Sequence, residues 1–414
     1  MRATRQRLSR PAVSPPENGG AIYFPRSLGR VKAHSARLDG LGTTIFAEMS
    51  ALALRTGSVN LGQGFPDTDG PGAVIEAAVE ALRGGRNQYA PGTGVPELRA
   101  AVAEHQRRWY GIELDPDTEV AVTTGATEAI AAALLGLVDP GDEVIALEPY
   151  YDSYVAVIQM AGGARRPVTL RPPDFRLSVD ELRAAVTPRT TAILLNTPHN
   201  PTGAVLTREE LEAVAAVARE HDLVVISDEV YEHLTFDVPH VPVATLPGMA
   251  ERTLTISSGG KTFSFTGWKV GWATGPASLV QAMLGAKQFM TYTSGSPLQP
   301  AIALALGLDD DYYASFTQRM RSQRDQLCDG LAALGLEVFV PDGTYFVTTD
   351  IRPLGFDDGL DFCRGLPERA GVVAIPHQVF WDDKETGRPL VRWAFCKRPE
   401  VISEALDRLS TIRR

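Results

Sequence analysis

Cysteine, long apolar runs and positive charge are all in short supply in this chain of 414 residues. The three cysteines, Cys328, Cys363 and Cys396, lack metal-ligand spacing, and so few thiols are typical of a reducing compartment. We therefore expect a cytoplasmic protein without a metal site. No apolar run is long enough to span a bilayer, so we expect no membrane partner. The formal net charge of −10 argues against nucleic-acid binding as the main task.

The length of the chain permits a large buried core that is divided into two parts. Residues 1–34 are rich in Arg and Pro, have Glu17 as their only acid, and lack the apolar core of a secretory signal. We expect them to form a disordered extension. From about residue 308 onward, a helical run is followed by alternating segments, which is typical of a smaller α+β domain.

Strand-like and helix-like segments alternate between residues 119 and 275. The pieces between the strands keep a helical period, for example at Leu211, Val214, Val217 and Ala218. This alternation predicts a mostly parallel sheet with helices on both faces, which binds ligands at the carboxyl ends of its strands. The expected strands are residues 119–124, 143–147, 192–196, 223–227, 253–257 and 270–274.

Lys261 lies between a glycine pair and a hydroxyl-rich turn, shortly after the expected strand 253–257. An amine that loses its proton near neutral pH can form a stable imine with an aldehyde, and burial lowers the pKa of a lysine in this way. Lys269, eight residues further on, offers a second cation that could neutralise a phosphate. A solvated loop lysine is the alternative interpretation of this segment when it is taken alone.

A strand-to-helix turn at residues 122–130 is a candidate anion site. The apolar strand ends at Gly125, and an alanine-rich stretch with helical spacing follows. Backbone amides at the start of a helix bind anions, and the Thr127 hydroxyl adds a donor. Many turns with this pattern bind nothing, so the segment alone is weak evidence.

Amide, carboxylate and phenol groups follow two other expected strands. Asn196 and Asn200 stand in a proline-rich turn that points their amides beyond the sheet edge, although an ordinary Asn-Pro turn is the alternative. Asp228 ends the next strand, and Tyr231 follows it. A carboxylate at this place needs a cation as its partner, such as a protonated pyridine nitrogen, unless it caps a helix.

Four segments, in their order along the chain, resemble the class I and II aminotransferases of pyridoxal phosphate fold type I; they are residues 122–130, 194–203, 223–231 and 257–272. The resemblance runs from about Leu38 to the C-terminus. The kynurenine, glutamine and methionine aminotransferase branch is similar at residues 61–67, 87–89, 148–152 and 267–272. Actinobacterial N-succinyldiaminopimelate aminotransferases are more similar still, at residues 43–53, 352–358 and 395–398.

The resemblance implies an α/β fold in which a large domain holds a mostly parallel seven-stranded sheet between helices, beside a smaller α+β domain. We accordingly expect a segment at residues 35–75 that joins the small domain. Residues 76–307 would form the large cofactor-binding domain, and residues 308–414 the small C-terminal domain. The family also implies a homodimer with shared active sites.

Pyridoxal 5'-phosphate is the cofactor that the resemblance implies. Lys261 would hold it covalently and later move the α-proton, and Asp228 would pair with the pyridine nitrogen and keep it protonated. Asn200 and Tyr231 would donate hydrogen bonds to the ring oxygen. Other cofactor-binding residues would be Tyr151 on the ring face, Gly125, Ala126, Thr127, Ser258 and Lys269 around the phosphate, and Tyr89 from the other subunit.

Arg392 is the family's candidate for the substrate α-carboxylate, because a planar guanidinium binds a carboxylate through two hydrogen bonds. An exposed strand arginine is the alternative. Gly64, Asn196, Asn200 and Phe46 would complete the substrate end of the site.

Three positions favour a long substrate tail. Phe46 stands where the kynurenine branch often has Trp, and Ser294 and Gly295 stand where that branch has bulky aromatic and imidazole groups. Smaller side chains at these positions leave room for a longer substrate. Compact aromatic substrates are correspondingly disfavoured.

The resulting prediction is an aminotransferase that uses 2-oxoglutarate as acceptor and N-succinyl-L,L-diaminopimelate as donor. The alternative is a kynurenine, glutamine or methionine aminotransferase with cysteine-conjugate β-lyase side activity, because one set of lysine, aspartate and phosphate-binding groups supports several reactions. A transcriptional regulator on the same fold would need a DNA-binding domain, and the first 34 residues are too few for one.

Overall fold

The computed structural model describes residues 35–412, so the disordered extension expected at residues 1–34 lies outside the described residues. In the described part, no helix is both long and apolar enough to cross a membrane. The α-helices are α1 (Ile45–Thr56), α2 (Gly72–Arg83), α3 (Pro96–Tyr110), α4 (Gly125–Leu137), α5 (Asp152–Ala161), α6 (Val179–Ala185), α7 (Arg208–Glu220), α8 (Gly259–Thr262), α9 (Ala277–Lys287), α10 (Gln299–Leu306), α11 (Asp310–Ala333), α12 (Gly359–Ala370), α13 (Lys384–Gly387) and α14 (Pro399–Leu409).

Short 3₁₀-helices and thirteen strands complete the described elements. The 3₁₀-helices are Ala36–Leu38, Val243–Thr245, Thr266–Trp268, Ser296–Leu298, Arg352–Leu354 and His377–Phe380. The strands are β1 (Val59–Asn60), β2 (Val120–Thr123), β3 (Glu143–Glu148), β4 (Ala164–Thr169), β5 (Thr190–Asn196), β6 (Val224–Asp228), β7 (Thr253–Ser258), β8 (Gly271–Thr274), β9 (Glu337–Phe339), β10 (Phe346–Asp350), β11 (Val372–Val373), β12 (Ile375–Pro376) and β13 (Leu390–Ala394).

The largest sheet has seven strands in the order β2-β8-β7-β6-β5-β3-β4. Strand β8 runs antiparallel to both of its neighbours, and the other neighbouring pairs are parallel. The mostly parallel seven-stranded sheet is therefore confirmed. Helices α4 and α9 both contact the sheet, and they pack closely on each other because Gly136 lacks a side chain: a Cβ on Gly136 of α4 would lie 2.3 Å from the Ala282 carbonyl oxygen of α9.

All six strands expected from the sequence are present, and the seventh strand, β4, was not expected. Arg165, Arg166 and Pro167 break the apolar pattern of β4, and its side chains are mostly exposed or half-buried. The reason is its position at the sheet edge, where it pairs only with β3 and where a proline is tolerated.

The carboxyl ends of the central strands bring polar groups to one edge of the sheet. Asn196 ends β5 and lies in register with Asp228 at the end of β6, and Ser258 ends the parallel neighbour β7. Strand β2 points the same way as β7, because each is antiparallel to β8. Helix α4 therefore starts at this edge too, at Gly125.

The C-terminal part of the chain forms a four-stranded antiparallel sheet in the order β12-β13-β10-β9. Strand β1 pairs in parallel with β11, where Val59 lies opposite Val372. This pairing joins the N-terminal segment to the C-terminal part. The domain boundaries themselves remain a prediction.

Candidate active site

A cleft with a volume of about 1160 Å³ opens at the carboxyl edge of the large sheet. Its walls come from the sheet edge, from the N-terminal segment around α1 and from the C-terminal part. Every predicted site residue except Tyr89 lines it, namely Phe46, Gly64, Gly125, Ala126, Thr127, Tyr151, Asn196, Asn200, Asp228, Tyr231, Ser258, Lys261, Lys269 and Arg392. One cleft thus brings together residues that lie between positions 39 and 392 of the chain.

Lys261 lies in α8, directly after β7. Its Nζ donates to the Tyr345 hydroxyl at 2.9 Å and lies 5.4 Å from the ring centres of both Tyr231 and Tyr345. Burial lowers the pKa of the Lys261 ammonium to about 8. A large share of this amine is therefore uncharged in mildly alkaline solution and able to act as a nucleophile or a base.

Asp228 is 5% exposed at the end of β6. Its Oδ2 accepts a hydrogen bond from the Tyr154 hydroxyl at 2.6 Å, and its Oδ1 accepts one from the Val230 amide at 3.3 Å. Burial raises the pKa of this carboxyl to about 6. Among residues 35–412, no Lys or Arg forms an ion pair with it. A buried carboxylate without an ion-pair partner fits a ligand that supplies one, such as a protonated ring nitrogen.

The start of α4 fits a phosphate group. Its N-cap residue, Thr124, makes no side-chain capping bond. A Cβ on Gly125 would lie 3.3 Å from Lys269 Nζ, and a Cβ on Gly271 would lie 2.6 Å from the Gly125 carbonyl carbon. The close approach of the two backbones therefore requires glycine at position 271. The Lys269 ammonium lies beside the backbone amides at the start of α4.

Arg392 is 1% exposed on β13, so the alternative of an exposed strand arginine is wrong. One terminal nitrogen donates to Asn200 Oδ1 at 2.8 Å, and the other donates to the Gly62 carbonyl at 3.1 Å. Its Nε is buried without a hydrogen-bond partner in the described chain. Burial lowers the pKa of this guanidinium to about 10, and a carboxylate ligand would supply the missing acceptor.

Three aromatic rings enclose the Arg392 guanidinium. Its central carbon lies 3.9 Å from the ring centre of Phe346, 5.1 Å from that of Phe46 and 5.2 Å from that of Phe380. Such cation–π contacts stabilise a charge that has little access to water. The rings also fix the direction of the guanidinium, which a bidentate contact requires.

Tyr89 is the predicted residue that the structure leaves away from the cleft. Its side chain is 83% exposed and packs edge to face on Tyr292, with ring centres 5.5 Å apart. Ser294 and Gly295 do not line the cleft of their own chain either. The roles predicted for these residues all depend on a second subunit.

Several contacts in the site were not foreseen from the sequence. Tyr154 donates to Asp228, and it stands three residues after Tyr151, a spacing that places both on one side of a helix. Tyr345 accepts from Lys261 across 84 positions of the chain and donates to the Gly64 carbonyl at 2.5 Å. The Tyr154 contact had a local signal, whereas the Tyr345 contact had none.

A second polar cluster lies outside the cleft. His105 Nε2 and His233 Nε2 are 2.7 Å apart, and Glu232 accepts from the Ser257 hydroxyl at 2.5 Å. Burial lowers the pKa of both imidazoles, that of His233 to about 3. At this distance one neutral imidazole donates its Nε2 proton to the unprotonated Nε2 of the other. We therefore interpret the cluster as a hydrogen-bond network that holds the segment after β6 against α3.

Asp228→Asn is expected to raise the free energy of unfolding of the cofactor-free protein by about 1–3 kcal/mol at about pH 8. The carboxyl pKa rises from about 3.9 in the unfolded chain to about 6 in the fold. The wild type therefore loses stability as the pH rises through this window, and the loss persists above it. The uncharged amide escapes this loss, so the difference vanishes below about pH 4.

Urea denaturation across this pH range measures the effect. Tyr154→Phe is the matched control, because it keeps the carboxylate and removes a hydrogen-bond donor. We expect this control to lose stability with rising pH at least as steeply as the wild type. An Asp228→Asn protein that is less stable than the wild type at about pH 8 contradicts the argument.

Comparison with known proteins agrees with this geometry. The sequence matches the family described as aminotransferase class I and II over residues 56–409. It is 53% identical over 388 residues to the probable N-succinyldiaminopimelate aminotransferase DapC of Mycobacterium tuberculosis, covering 91% of this chain and 98% of that protein. It is 40% identical over 375 residues to the methionine aminotransferase of Escherichia coli, covering 90% of this chain and 97% of that protein.

A solved structure extends the likeness from sequence to fold. The N-succinyldiaminopimelate aminotransferase from Mycobacterium tuberculosis superposes with a TM-score of 0.90 at 54% identity, covering 91% of this chain and 99% of that one. The protein belongs to the class I and II aminotransferases, enzymes of fold type I that depend on pyridoxal 5'-phosphate.

Proposed function

We propose that this aminotransferase moves the amino group of N-succinyl-L,L-diaminopimelate to 2-oxoglutarate, a step of lysine biosynthesis. The observation that carries the choice of donor is the 53% identity with the probable N-succinyldiaminopimelate aminotransferase, against 40% with the methionine aminotransferase. The cleft of about 1160 Å³ would have to hold the cofactor as well as the donor, so its volume alone does not select among donors.

The inner end of the cleft suits the chemistry of the cofactor. When bound, pyridoxal 5'-phosphate supplies an aldehyde that captures amines and a ring that accepts the electrons released at the α-carbon. Lys261 is the residue that holds it covalently. Once the donor amine has taken its place on the aldehyde carbon, Nζ of Lys261 would be free to take the proton from the substrate α-carbon and to deliver it to that former aldehyde carbon, and the low pKa of this amine suits both steps.

Asp228 keeps the ring nitrogen protonated in this proposal, and Tyr154 holds the carboxylate in place. Asn200 and Tyr231 donate to the ring oxygen. Burial raises the pKa of the Tyr231 phenol, which therefore stays protonated and able to donate. Because Asn200 Oδ1 accepts from Arg392, the amide nitrogen of Asn200 is the atom that is left to donate.

Arg392 binds the α-carboxylate of the donor and, in the second half of the reaction, that of 2-oxoglutarate. Its unpartnered Nε and the surrounding rings support this role. Tyr151 packs on the face of the cofactor ring. Gly125, Ala126, Thr127, Ser258 and Lys269 bind the phosphate, and Gly64, Asn196 and Phe46 bound the substrate.

We also propose a homodimer with shared sites, in which Tyr89 reaches the phosphate of the partner subunit. Large apolar side chains are exposed near one another in sequence, with Phe289 87% and Tyr292 53% exposed, and the latter contacts Tyr89. A second subunit that covers this surface would remove the exposed apolar area. The three buried free cysteines support a cytoplasmic location for the enzyme.

Borohydride treatment of the holoenzyme is expected to fix the cofactor on Lys261, where peptide mass mapping will find it. Lys261→Ala should abolish transfer while the protein still binds the cofactor through its phosphate. Lys269→Ala is the matched control, since it should weaken cofactor binding and leave the site of fixation unchanged. Fixation on Lys269 would overturn the assignment.

The donor is tested by kinetics with 2-oxoglutarate as acceptor. We expect kcat/KM for N-succinyl-L,L-diaminopimelate to exceed the values for kynurenine, glutamine and methionine by at least about tenfold, or roughly 1.4 kcal/mol of transition-state stabilisation. If kynurenine or glutamine is the better donor, the inference from Phe46, Ser294 and Gly295 is wrong. Release of pyruvate from cysteine conjugates measures the β-lyase alternative.

Mixing subunits tests the shared sites. Lys261→Ala and Tyr89→Ala proteins, unfolded and refolded together, should regain up to about a quarter of the wild-type activity, because half of the dimers are hybrids and each hybrid has one intact site. Each variant refolded alone is the control. A fully active monomer, or a mixture no more active than its parts, rules the arrangement out.

A further inference from the structure

The outer end of the cleft carries three cations. Arg165 of β4, Arg364 of α12 and Lys384 of α13 all line it. The donor of the proposed function has two carboxylates besides the one assigned to Arg392: one on the acylated carbon and one at the end of the succinyl group. A carboxylate that leaves water on binding needs a charged or hydrogen-bonding partner.

Two of these cations are already paired with carboxylates. Nε and a terminal nitrogen of Arg165 donate to both oxygens of Asp382, at 2.9 and 2.6 Å. Arg364 makes the same two-bond contact with Glu48, at 2.8 and 3.2 Å. Each pair joins two segments of the cleft wall. The charges of both arginines are already neutralised by these carboxylates. The two pairs therefore serve mainly to hold the cleft wall together.

Lys384 differs from both arginines. In the described chain, its Nζ has no carboxylate within 4.0 Å and donates to the Trp381 carbonyl. Burial lowers the pKa of the Lys384 ammonium, and the nearby Arg165 adds to this, while the more distant carboxylates of Asp382 and Glu148 favour its charged form. An ammonium has three donors, so most of its hydrogen-bonding capacity is available to a ligand.

The position of Lys384 relates it to the α-carboxylate site. The 3₁₀-helix His377–Phe380 precedes α13, and its Phe380 ring packs on the Arg392 guanidinium. Trp381 lines the cleft between Phe380 and Lys384 along the chain. A donor whose α-carboxylate is bound at Arg392 can therefore extend its tail along this segment toward Lys384.

We propose that Lys384 binds the terminal carboxylate of the donor's acyl tail and so determines specificity for acidic, acylated donors. This inference rests on the proposed function. Arg165 and Arg364 are positioning residues, since each acts by fixing the wall along which the tail lies.

The test compares two donors with the wild-type and variant holoenzymes: N-succinyl-L,L-diaminopimelate, and the same molecule with a carboxamide in place of the terminal carboxylate. For the wild type we expect the carboxylate donor to have a kcat/KM about tenfold higher, mainly through a lower KM, because this charge pair lies between the exposed and the buried cases. In Lys384→Met the ratio of the two kcat/KM values should fall close to one. Lys384→Arg should restore a clear preference for the carboxylate.

Arg388→Met is the matched control. Arg388 directly follows α13, pairs with Glu385 and Asp358 and does not line the cleft, so this variant removes one charge from the same segment without touching the site. The carboxylate preference should stay at the wild-type value. A preference that persists in Lys384→Met, or an equal loss for both donors, overturns the assignment to Lys384. A wild-type enzyme that uses other amino acids but neither of these donors contradicts the proposed function itself.

Discussion

The site depends above all on charged side chains that are buried without an ion-pair partner in the described chain. Asp228 and Arg392 are nearly inaccessible to water, yet neither forms an ion pair within the described chain. Burying such groups without a partner costs free energy. Burial also shifts the pKa of Asp228 to about 6, that of Arg392 to about 10 and that of the nearby Lys261 to about 8. A ligand that brings a cation to Asp228 and a carboxylate to Arg392 would remove these costs, so part of the free energy spent on burial would return as binding affinity.

The fold keeps these charges apart by drawing them from different layers. Asp228 and Lys261 follow neighbouring parallel strands and so share the carboxyl edge of the large sheet. Arg392 comes from the antiparallel sheet of the C-terminal part, where Phe346 and Phe380 enclose it. Collapse of carboxylate onto guanidinium is prevented because each side chain is tied to a rigid element and to its own hydrogen-bond partners.

The sequence predicted the parallel sheet and the residues at its carboxyl edge because strand period, turn residues and motifs are local signals. It missed β4, whose arginines and proline are tolerated only because the strand lies at the edge. It also missed Tyr345 and Phe380, which meet Lys261 and Arg392 through contacts between distant parts of the chain. Tertiary contacts of this kind leave no periodic trace in a single sequence.

The two ends of the cleft obey different physical rules. At the inner end, Asp228 and Arg392 are buried without an ion-pair partner in the described chain. At the outer end, Arg165 and Arg364 are neutralised by Asp382 and Glu48 across the wall. Such pairs give shape to the cleft but little selectivity, because a ligand carboxylate would have to displace an existing one. A ligand carboxylate that binds a cation without such a partner has no carboxylate to displace. Among the three cations at the outer end of the cleft, only Lys384 has no carboxylate within 4.0 Å in the described chain.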